Sequence, residues 1–299
     1  MVYLNLLLSG ILFGGVYALF AVGLSLLFGV MHVFNIAHGA VFTVAALLTI
    51  TIANHTGWSW IVLVLIGAGI GALLGVVIEF LAIRPFRRLQ LRQEDMEHAT
   101  LIATLSLLII TNALTTHYTA AQYLSYPADT FPTGVVRLVG GFGFSVMLYI
   151  NFGISVALLA LLALVIKRTQ VGRAIRAIAS DYRAAGLLGI NVGAFSLGLS
   201  VLASALAGTA GVLLAMTFNA VAWDFGDTFL FIGFVIVVLG GAGSILGTLI
   251  AAVMLTTTMA FTAYYLGGNW SEAVSFVLLM LFLAVRPRGL FGRAEIVRA

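Results

Sequence analysis

The chain has 299 residues, of which 62% are hydrophobic and only 8% are charged, with a net charge of +4. A soluble domain carries about 25% charged residues, so this composition excludes a water-soluble protein, and the high apolar content excludes intrinsic disorder. Long apolar runs without the alternation of a β-barrel predict an all-α, polytopic integral membrane protein embedded in a lipid bilayer.

Nine apolar segments follow one another along the chain, most of them near the roughly 20 residues that cross a bilayer as a helix. They cover residues 4–30, 36–54, 60–83, 99–117, 144–166, 194–217, 228–241, 244–266 and 270–285. The segment at 228–241 is too short to cross alone, which predicts a half-helix or a bent part of a longer element. We expect one transmembrane domain over residues 1–299, with about eight to nine apolar segments and with broken or half-helices.

Small residues recur four positions apart in several segments, a spacing that lets helix backbones approach closely in lipid. The sets are Gly67, Gly71 and Gly75; Ala203, Ala207 and Gly211; and Gly243, Gly247 and Ala251. We expect these faces to pack against other helices, and the lining of a pore is the alternative.

The fourteen basic residues are clustered: four lie in 84–92, five in 167–183 and four in 286–298, and only Arg137 lies elsewhere. Basic loops stay in the cytoplasm, so the positive charge marks topology and does not indicate a nucleic-acid partner. Because even numbers of apolar segments separate the clusters, all three fall on one side. The N-terminus is then outside and the C-terminus cytoplasmic.

Polar stretches between the apolar segments predict the loops. Residues 84–98 open with Arg84-Pro85, and because proline disfavours a continuing helix, we expect a cytoplasmic loop there. Residues 118–143 are expected to form the longest outer loop, and residues 167–193 a cytoplasmic segment.

Several kinds of site are not supported by the sequence. There is no cysteine, and the histidines are not spaced as metal ligands. The single lysine, Lys167, is not preceded by the glycines of a phosphate-binding loop. We expect no metal, no cofactor and no catalytic centre in this chain, so any ATP that drives it is bound by another polypeptide.

The cytoplasmic segment 167–193 contains an amphipathic pattern, in which Ile175 and Ile178 alternate with charged residues at helical spacing. Such a helix can lie on the membrane surface, with arginines at anionic headgroups. It can also dock into a groove on a soluble partner. Gly189, which offers a turn back to the next span, favours docking, and a purely structural loop remains a third interpretation.

Five ordered motifs across nearly the whole chain carry a family resemblance. They are GGVYALFAVGLSLLFGVMHVFNIAHG, RPFRRL, RAIRAIASDYRAAGLLGIN, VLGGAGSILGTLIA and RPRGLFGR. Together they resemble the permease subunits of branched-chain amino-acid type ATP-binding-cassette importers. The resemblance implies a second, homologous permease subunit, two cytoplasmic ATPase subunits and an extracytoplasmic substrate-binding protein as partners.

In such an assembly, segment 167–193 would contact the ATPases. The candidate coupling residues are Arg173, Arg176, Asp181, Arg183, Ala184, Ala185 and Gly189. Asp181 and Arg183 would pair with partner charges, and the small residues would allow close approach.

A break between the first two apolar segments contains Asn35, His38 and Gly39. Transporters build substrate sites at broken helices, and neutral Asn and His side chains can bind a carboxylate or an amide. The alternative is a helix cap at the membrane interface. Relatives in the resembled family commonly carry an acidic residue where this chain has Ala40, and this difference favours a less polar or an anionic substrate.

A second group of substrate-pathway candidates lies in the glycine-rich stretch at 240–247. Gly240, Gly241, Gly243 and Ser244 would expose backbone groups between half-helices, and close packing is the other interpretation.

The remaining ionisable residues within the spans have structural explanations. Glu79 is expected to be an anchor near the cytoplasmic end, paired with Arg84 or extended towards the interface. Asp224 and Asp227 are expected to cap the short segment that follows them.

These features favour a permease subunit of an ATP-driven importer in the inner membrane of a bacterium or archaeon. It would move an amino acid or related small solute by alternating access. An ion-coupled secondary transporter is the main alternative, although such proteins place carboxylates in mid-membrane, where this chain has few. A membrane-embedded enzyme and a passive channel are further alternatives.

Overall fold

The computed structural model of the chain describes residues 2–89, 92–137, 143–286 and 289–291, apart from the side chains of Gln93 and Arg183. Twelve α-helices occur in these ranges. In chain order they are α1 (Val2–Met31), α2 (His38–Thr56), α3 (Trp60–Ile78), α4 (Arg84–Arg88), α5 (Gln93–Thr119), α6 (Val146–Arg168), α7 (Gln170–Ser180), α8 (Tyr182–Leu187), α9 (Val192–Phe218), α10 (Phe225–Gly240), α11 (Ile245–Tyr265) and α12 (Ser271–Val285).

Eight helical stretches among the described residues are long and apolar enough to cross a membrane, with Trp60–Arg88 forming one continuous stretch. The ninth apolar segment is the shorter helix Phe225–Gly240. The prediction of an all-α, polytopic membrane protein with eight to nine apolar segments is therefore confirmed.

One small β-hairpin was not predicted. Strands β1 (Val135–Arg137) and β2 (Gly143–Ser145) pair antiparallel within the stretch that joins α5 to α6. In the same stretch, Leu124 forms a backbone bridge with Val221, just after α9. This connection is therefore tied down to the end of the helix bundle.

The predicted loop at 84–98 is wrong, because residues 84–88 and 93–98 are helical. A π turn at Glu79–Ile83 follows α3, and the Arg84 N–H donates to the Glu79 carbonyl. This wider turn lets the chain continue into α4, where Pro85 occupies the first turn. Proline is tolerated there because the first turn needs no intrahelical N–H donor.

Glycine faces bring the transmembrane helices into close contact, as predicted. A side chain on Gly71 would collide with the Ser204 carbonyl, and one on Gly75 would begin 2.6 Å from the Ser200 carbonyl. Residues further along α3 contact residues nearer the start of α9, so these two helices run antiparallel with their backbones in contact. The packing interpretation of the small residues is confirmed on this face.

Contacts along α1 show how its neighbouring helices run relative to it. They pair Phe13 with Phe218, Gly23 with Ala203, and Gly29 with Gly243. Helix α1 therefore runs antiparallel to α9, and its end lies beside the start of α11. Leu290 donates its N–H to the Leu239 carbonyl at the end of α10. The basic residues at the ends of α4, α6 and α12 consequently lie at one end of the bundle.

Candidate functional site

The break between α1 and α2 lies deep in the bundle. The Thr104 hydroxyl donates to the Phe34 carbonyl at 3.1 Å and accepts from the Ile36 N–H at 3.2 Å. Thr104 is eleven residues beyond the start of α5 at Gln93, or about 16 Å along the helix at 1.5 Å per residue. The chain between α1 and α2 therefore runs beside α5 inside the bundle, where the Thr104 side chain satisfies part of the backbone freed by the break.

Two polar side chains at this break have unused hydrogen-bonding capacity. Asn35 is 3% exposed, and neither of its amide atoms has a partner among the described residues. His38 is fully buried, with Nε2 3.2 Å from the Phe20 carbonyl and with Nδ1 unpartnered within the same ranges. Neither side chain caps α2, since the capping position is Ala37 and receives no side-chain hydrogen bond. The structure thus offers both side chains as uncharged donors and acceptors and disagrees with the capping alternative.

The third candidate at the break, Gly39, has a packing role. A side chain there would begin 2.9 Å from the Gly226 carbonyl of α10. Gly39 therefore lets α2 and α10 touch. Ala40 is 4% exposed, so this position beside the break is buried, apolar and uncharged.

An aromatic cluster that was not predicted from the sequence lies beside the break. The Phe20 ring lies 4.7 Å from the His38 ring and 5.2 Å from Phe42, and Phe42 lies 4.9 Å from Phe229. These residues come from α1, α2 and α10. Their spacing along the sequence carries no signal, because the cluster forms only when the three helices pack.

The glycine-rich stretch is a tight turn. Gly240 packs directly against Gly247, and Gly243, with φ of 80°, lies against Gly29 and donates its N–H to Ser25 Oγ at 2.9 Å. Ser244 Oγ accepts from the Gly247 N–H and so caps α11. Close packing, one of the two interpretations, accounts for these candidates.

Gly241, the remaining candidate in this turn, has a φ of 90°. This conformation is favourable for glycine, and it directs the chain from α10 into α11. It also fits a structural role.

The expected caps of α10 are not formed as predicted. Asp224 occupies the capping position without a side-chain cap bond. Asp227 Oδ2 instead accepts from Asn112 Nδ2 on α5, at 2.8 Å. A carboxylate in the first turn is favourable near the helix N-terminus, and here it also ties α10 to α5.

Glu79 is more deeply buried than an interfacial anchor. Its side chain is 1% exposed, and it pairs with Arg87 at 2.8 Å, whereas Arg84 lies over the Phe80 ring. The π turn displaces the following residues around the helix axis, which is why the partner lies eight positions away.

Segment 167–193 forms the two short helices α7 and α8 at the basic end of the bundle. Helix α7 is amphipathic as predicted, with Gly172, Ile175 and Ile178 buried. Arg173 is exposed, whereas the Arg176 guanidinium donates to the Ile166 carbonyl and holds α7 against the end of α6.

The coupling candidates on α8 differ in accessibility. Asp181 Oδ1 accepts from the Ala184 N–H at 3.0 Å and so caps this helix, and Ala185 is only 2% exposed. Ala184 and Gly189 are exposed, and the Arg183 side chain lies outside the described part of the chain. Burial of Ala185 is incompatible with direct partner contact.

Leu187 and Leu188, which were not among the predicted coupling residues, are 91% and 82% exposed. They stand at the tip of the segment. Their position in the motif RAAGLLGIN was visible in the sequence, but which face they occupy depended on the turn after α8.

A cleft of about 310 Å³ lies between α10 and α12. It is lined by Thr228, Phe231, Ile232, Val235, Glu272, Ser275 and Phe276. Its lining does not include Phe229 of the aromatic cluster, nor Asn35 or His38. Within the described ranges, no group of three or more His, Asp or Glu side chains is arranged to hold a metal ion.

Comparisons with known proteins agree with this architecture. Residues 6–283 match the family described as branched-chain amino acid transport system, permease component. The chain is 30% identical to the high-affinity branched-chain amino acid transport system permease protein LivH of Escherichia coli K12, over 98% of this chain and 97% of the relative. It is equally similar, over the same shares, to the permease protein BraD of Pseudomonas aeruginosa.

Among solved structures, PsaBC from Streptococcus pneumoniae in complex with Fab covers 95% of this chain and 91% of its own, at 14% identity and a TM-score of 0.48. This likeness is too weak to assign a fold. The match over residues 6–283 and the identity to LivH and BraD show instead that the chain belongs to the family of branched-chain amino acid transport system permease components.

Proposed function

We propose that this chain is the membrane-spanning permease of an ATP-binding-cassette importer that moves branched-chain amino acids or a related small organic solute by alternating access. The observation that carries the proposal is the α7–α8 segment between two spans, in which Leu187 and Leu188 are almost fully exposed. An importer driven by separate ATPases needs such a contact, because the motor and the pathway lie on different polypeptides.

Two cytoplasmic ATPase subunits would bind the ATP, and this chain would contribute no catalytic activity or cofactor. We infer that their docking surface consists of Arg173, Ala184, Leu187, Leu188 and Gly189, which are all exposed. An apolar tip entering a groove on a soluble partner follows the general mode of helix recognition. Arg176 and Asp181 support this surface from behind through their internal hydrogen bonds.

The proposed orientation puts the basic end of the bundle in the cytoplasm, in accord with the excess of basic residues on that side of membrane proteins. The N-terminus is then outside, and the C-terminus is cytoplasmic in the inner membrane of a bacterium or archaeon. A second, homologous permease subunit and an extracytoplasmic binding protein would complete the importer.

The substrate would pass the break between α1 and α2. Asn35 and His38 supply neutral hydrogen-bonding groups, and Phe20 and Phe42 supply apolar surface beside them. Such a lining suits a molecule with an aliphatic side chain and a polar end. The apolar Ala40 fits a site that does not rely on a carboxylate.

Reconstitution tests the proposal. The chain would be placed in proteoliposomes with its genomically adjacent permease, ATPases and binding protein, and leucine uptake would be followed with and without ATP. We expect uptake to need ATP and every component, and the chain alone to hydrolyse no ATP. Uptake that persists without the ATPases but collapses with an uncoupler would instead support an ion-coupled transporter.

A further inference from the structure

A buried carboxylate joins three elements at the basic end of the bundle. Glu79 Oε1 accepts from Arg87 Nη2 at 2.8 Å, and Glu79 Oε2 accepts from Ser200 Oγ at 2.9 Å. Ser196 Oγ lies 2.9 and 3.0 Å from the two carboxylate oxygens. We call Glu79, Arg87, Ser196 and Ser200 the Glu79 joint. Through it the π turn, α4 and α9 share one charge-assisted network, the strong class of protein hydrogen bond.

The joint lies next to the proposed docking segment. Helix α9 begins at Val192, directly after residues 182–191, and its cap is Asn191, whose Oδ1 accepts from the Ala194 N–H. Arg87 Nη2 lies 4.0 Å from the point where a side chain on Gly193 would begin. Only the first turn of α9 therefore separates the docking segment from Arg87.

The other side of the joint is connected to the transmembrane bundle. Helices α3 and α9 are in backbone contact along Gly67, Gly71 and Gly75, so they can shift only together or by sliding along that face. The joint sits where α3 widens into its π turn, a feature that is often found at functional sites.

Within the described part of the chain, the Arg87 guanidinium has a free N–H group with which it can form a second set of hydrogen bonds to Glu79. Its Nη1 is buried and without a hydrogen-bond partner within the described residues, while the Arg87 side chain as a whole is 19% exposed. A guanidinium has five N–H donors in a fixed fork, so a shift of α9 can exchange one donor for another without breaking the ion pair.

From this geometry we propose that Glu79 and Arg87 are positioning residues that transmit movement of the α7–α8 segment to α3 and α9. The inference rests on the proposed function, since it presumes that ATPases move the segment.

The test compares Glu79→Gln, Arg87→Gln and the double variant in the reconstituted transporter. Asp95→Asn is the matched control, because it removes the exposed Arg92–Asp95 ion pair at the same end of the bundle. Leucine uptake and ATP hydrolysis are measured in parallel and normalised to assembled complex, so that a loss of folding is counted separately.

For a positioning role, we expect each single variant to hydrolyse ATP while its uptake per ATP falls about fivefold or more, in the range of typical coupling energies. The double variant leaves no unpaired buried charge, so assembly recovers while uptake per ATP stays low. Wild-type uptake per ATP in any assembled Glu79 or Arg87 variant would overturn the inference.

A second readout needs no substrate. The chain contains no cysteine, so spin labels can be placed at the exposed Leu73 of α3 and Leu161 of α6. We expect ATP to change the distance between these labels in the wild type and not in Glu79→Gln. An unchanged response in the variant would contradict transmission, whereas a wild type with neither uptake nor an ATP response would refute the proposed function itself.

Discussion

The exposed leucines of α8 give the sharpest test of ATPase docking. The change is the double substitution Leu187→Ala and Leu188→Ala. Both side chains are almost fully exposed, at 91% and 82%, so truncating them to alanine changes the stability of the isolated chain little. Substitutions at such surface positions usually change stability by about 0.5 kcal/mol or less.

The expected loss of binding is much larger than the loss of stability. Burying one leucine side chain completely contributes about 1.5–3 kcal/mol, so two leucines contribute up to about 6 kcal/mol in a partner groove. Ordering of the segment on binding offsets part of this gain. A net loss of about 3 kcal/mol corresponds to an affinity roughly 100-fold weaker, since each 1.4 kcal/mol is tenfold in Kd.

The assay measures the Kd of the ATPase subunits for the permease in nanodiscs. Leu89→Ala is the control, because Leu89 is 65% exposed and lies near the same end of the bundle. An unchanged Kd for the double variant would refute docking through α8. If the segment lies on the membrane instead, the double variant would show wild-type ATPase binding and a weaker affinity for anionic lipid.

Three further predictions concern the bundle itself. Asn35→Leu removes a buried amide that has no partner among the described residues, so we expect the melting temperature to stay equal or rise while uptake of leucine falls; an unchanged KM and rate would exclude Asn35 from the pathway. Gly71→Val should abolish stable expression because α9 backbone lies against it, whereas Gly69→Val, which faces open space, should express normally, as judged by size-exclusion chromatography. Asn151→Ala removes the hydrogen bond to the Leu213 carbonyl at 2.7 Å. We expect the free energy of unfolding, measured by thermal unfolding, to fall by about 1–3 kcal/mol. A smaller change would contradict that bond's role in joining α6 to α9.

The spans, the basic clusters and the glycine faces could be predicted because each depends on residues close together in the sequence. A helix must satisfy its own backbone in lipid, so an apolar run of sufficient length is enough to locate it. The glycines at 67, 71 and 75 share a face by helical geometry alone, whichever helix they meet.

Partners across the bundle could not be predicted in this way. Glu79 was expected to be an anchor that pairs with Arg84 or extends towards the interface, but the π turn changes the register and brings Arg87 to it. Asp227 was expected to be a cap, and it instead bonds to Asn112, which is 115 residues away. No local pattern encodes either contact, because the first depends on the π turn and the second on which helices become neighbours.

The candidate pathway residues likewise could not be distinguished from other buried polar residues by their sequence alone. Polar groups in these spans are common, and many are satisfied locally: the Thr43 hydroxyl, for example, donates to the Gly39 carbonyl four residues earlier. Asn151 is buried too, but its amide nitrogen bonds to α9. Asn35 has neither kind of partner within the described chain. A buried amide without a partner lowers the stability of the fold, and a hydrogen bond to a passing solute would offset this cost at Asn35. Only the three-dimensional arrangement distinguishes Asn35 from the other asparagines.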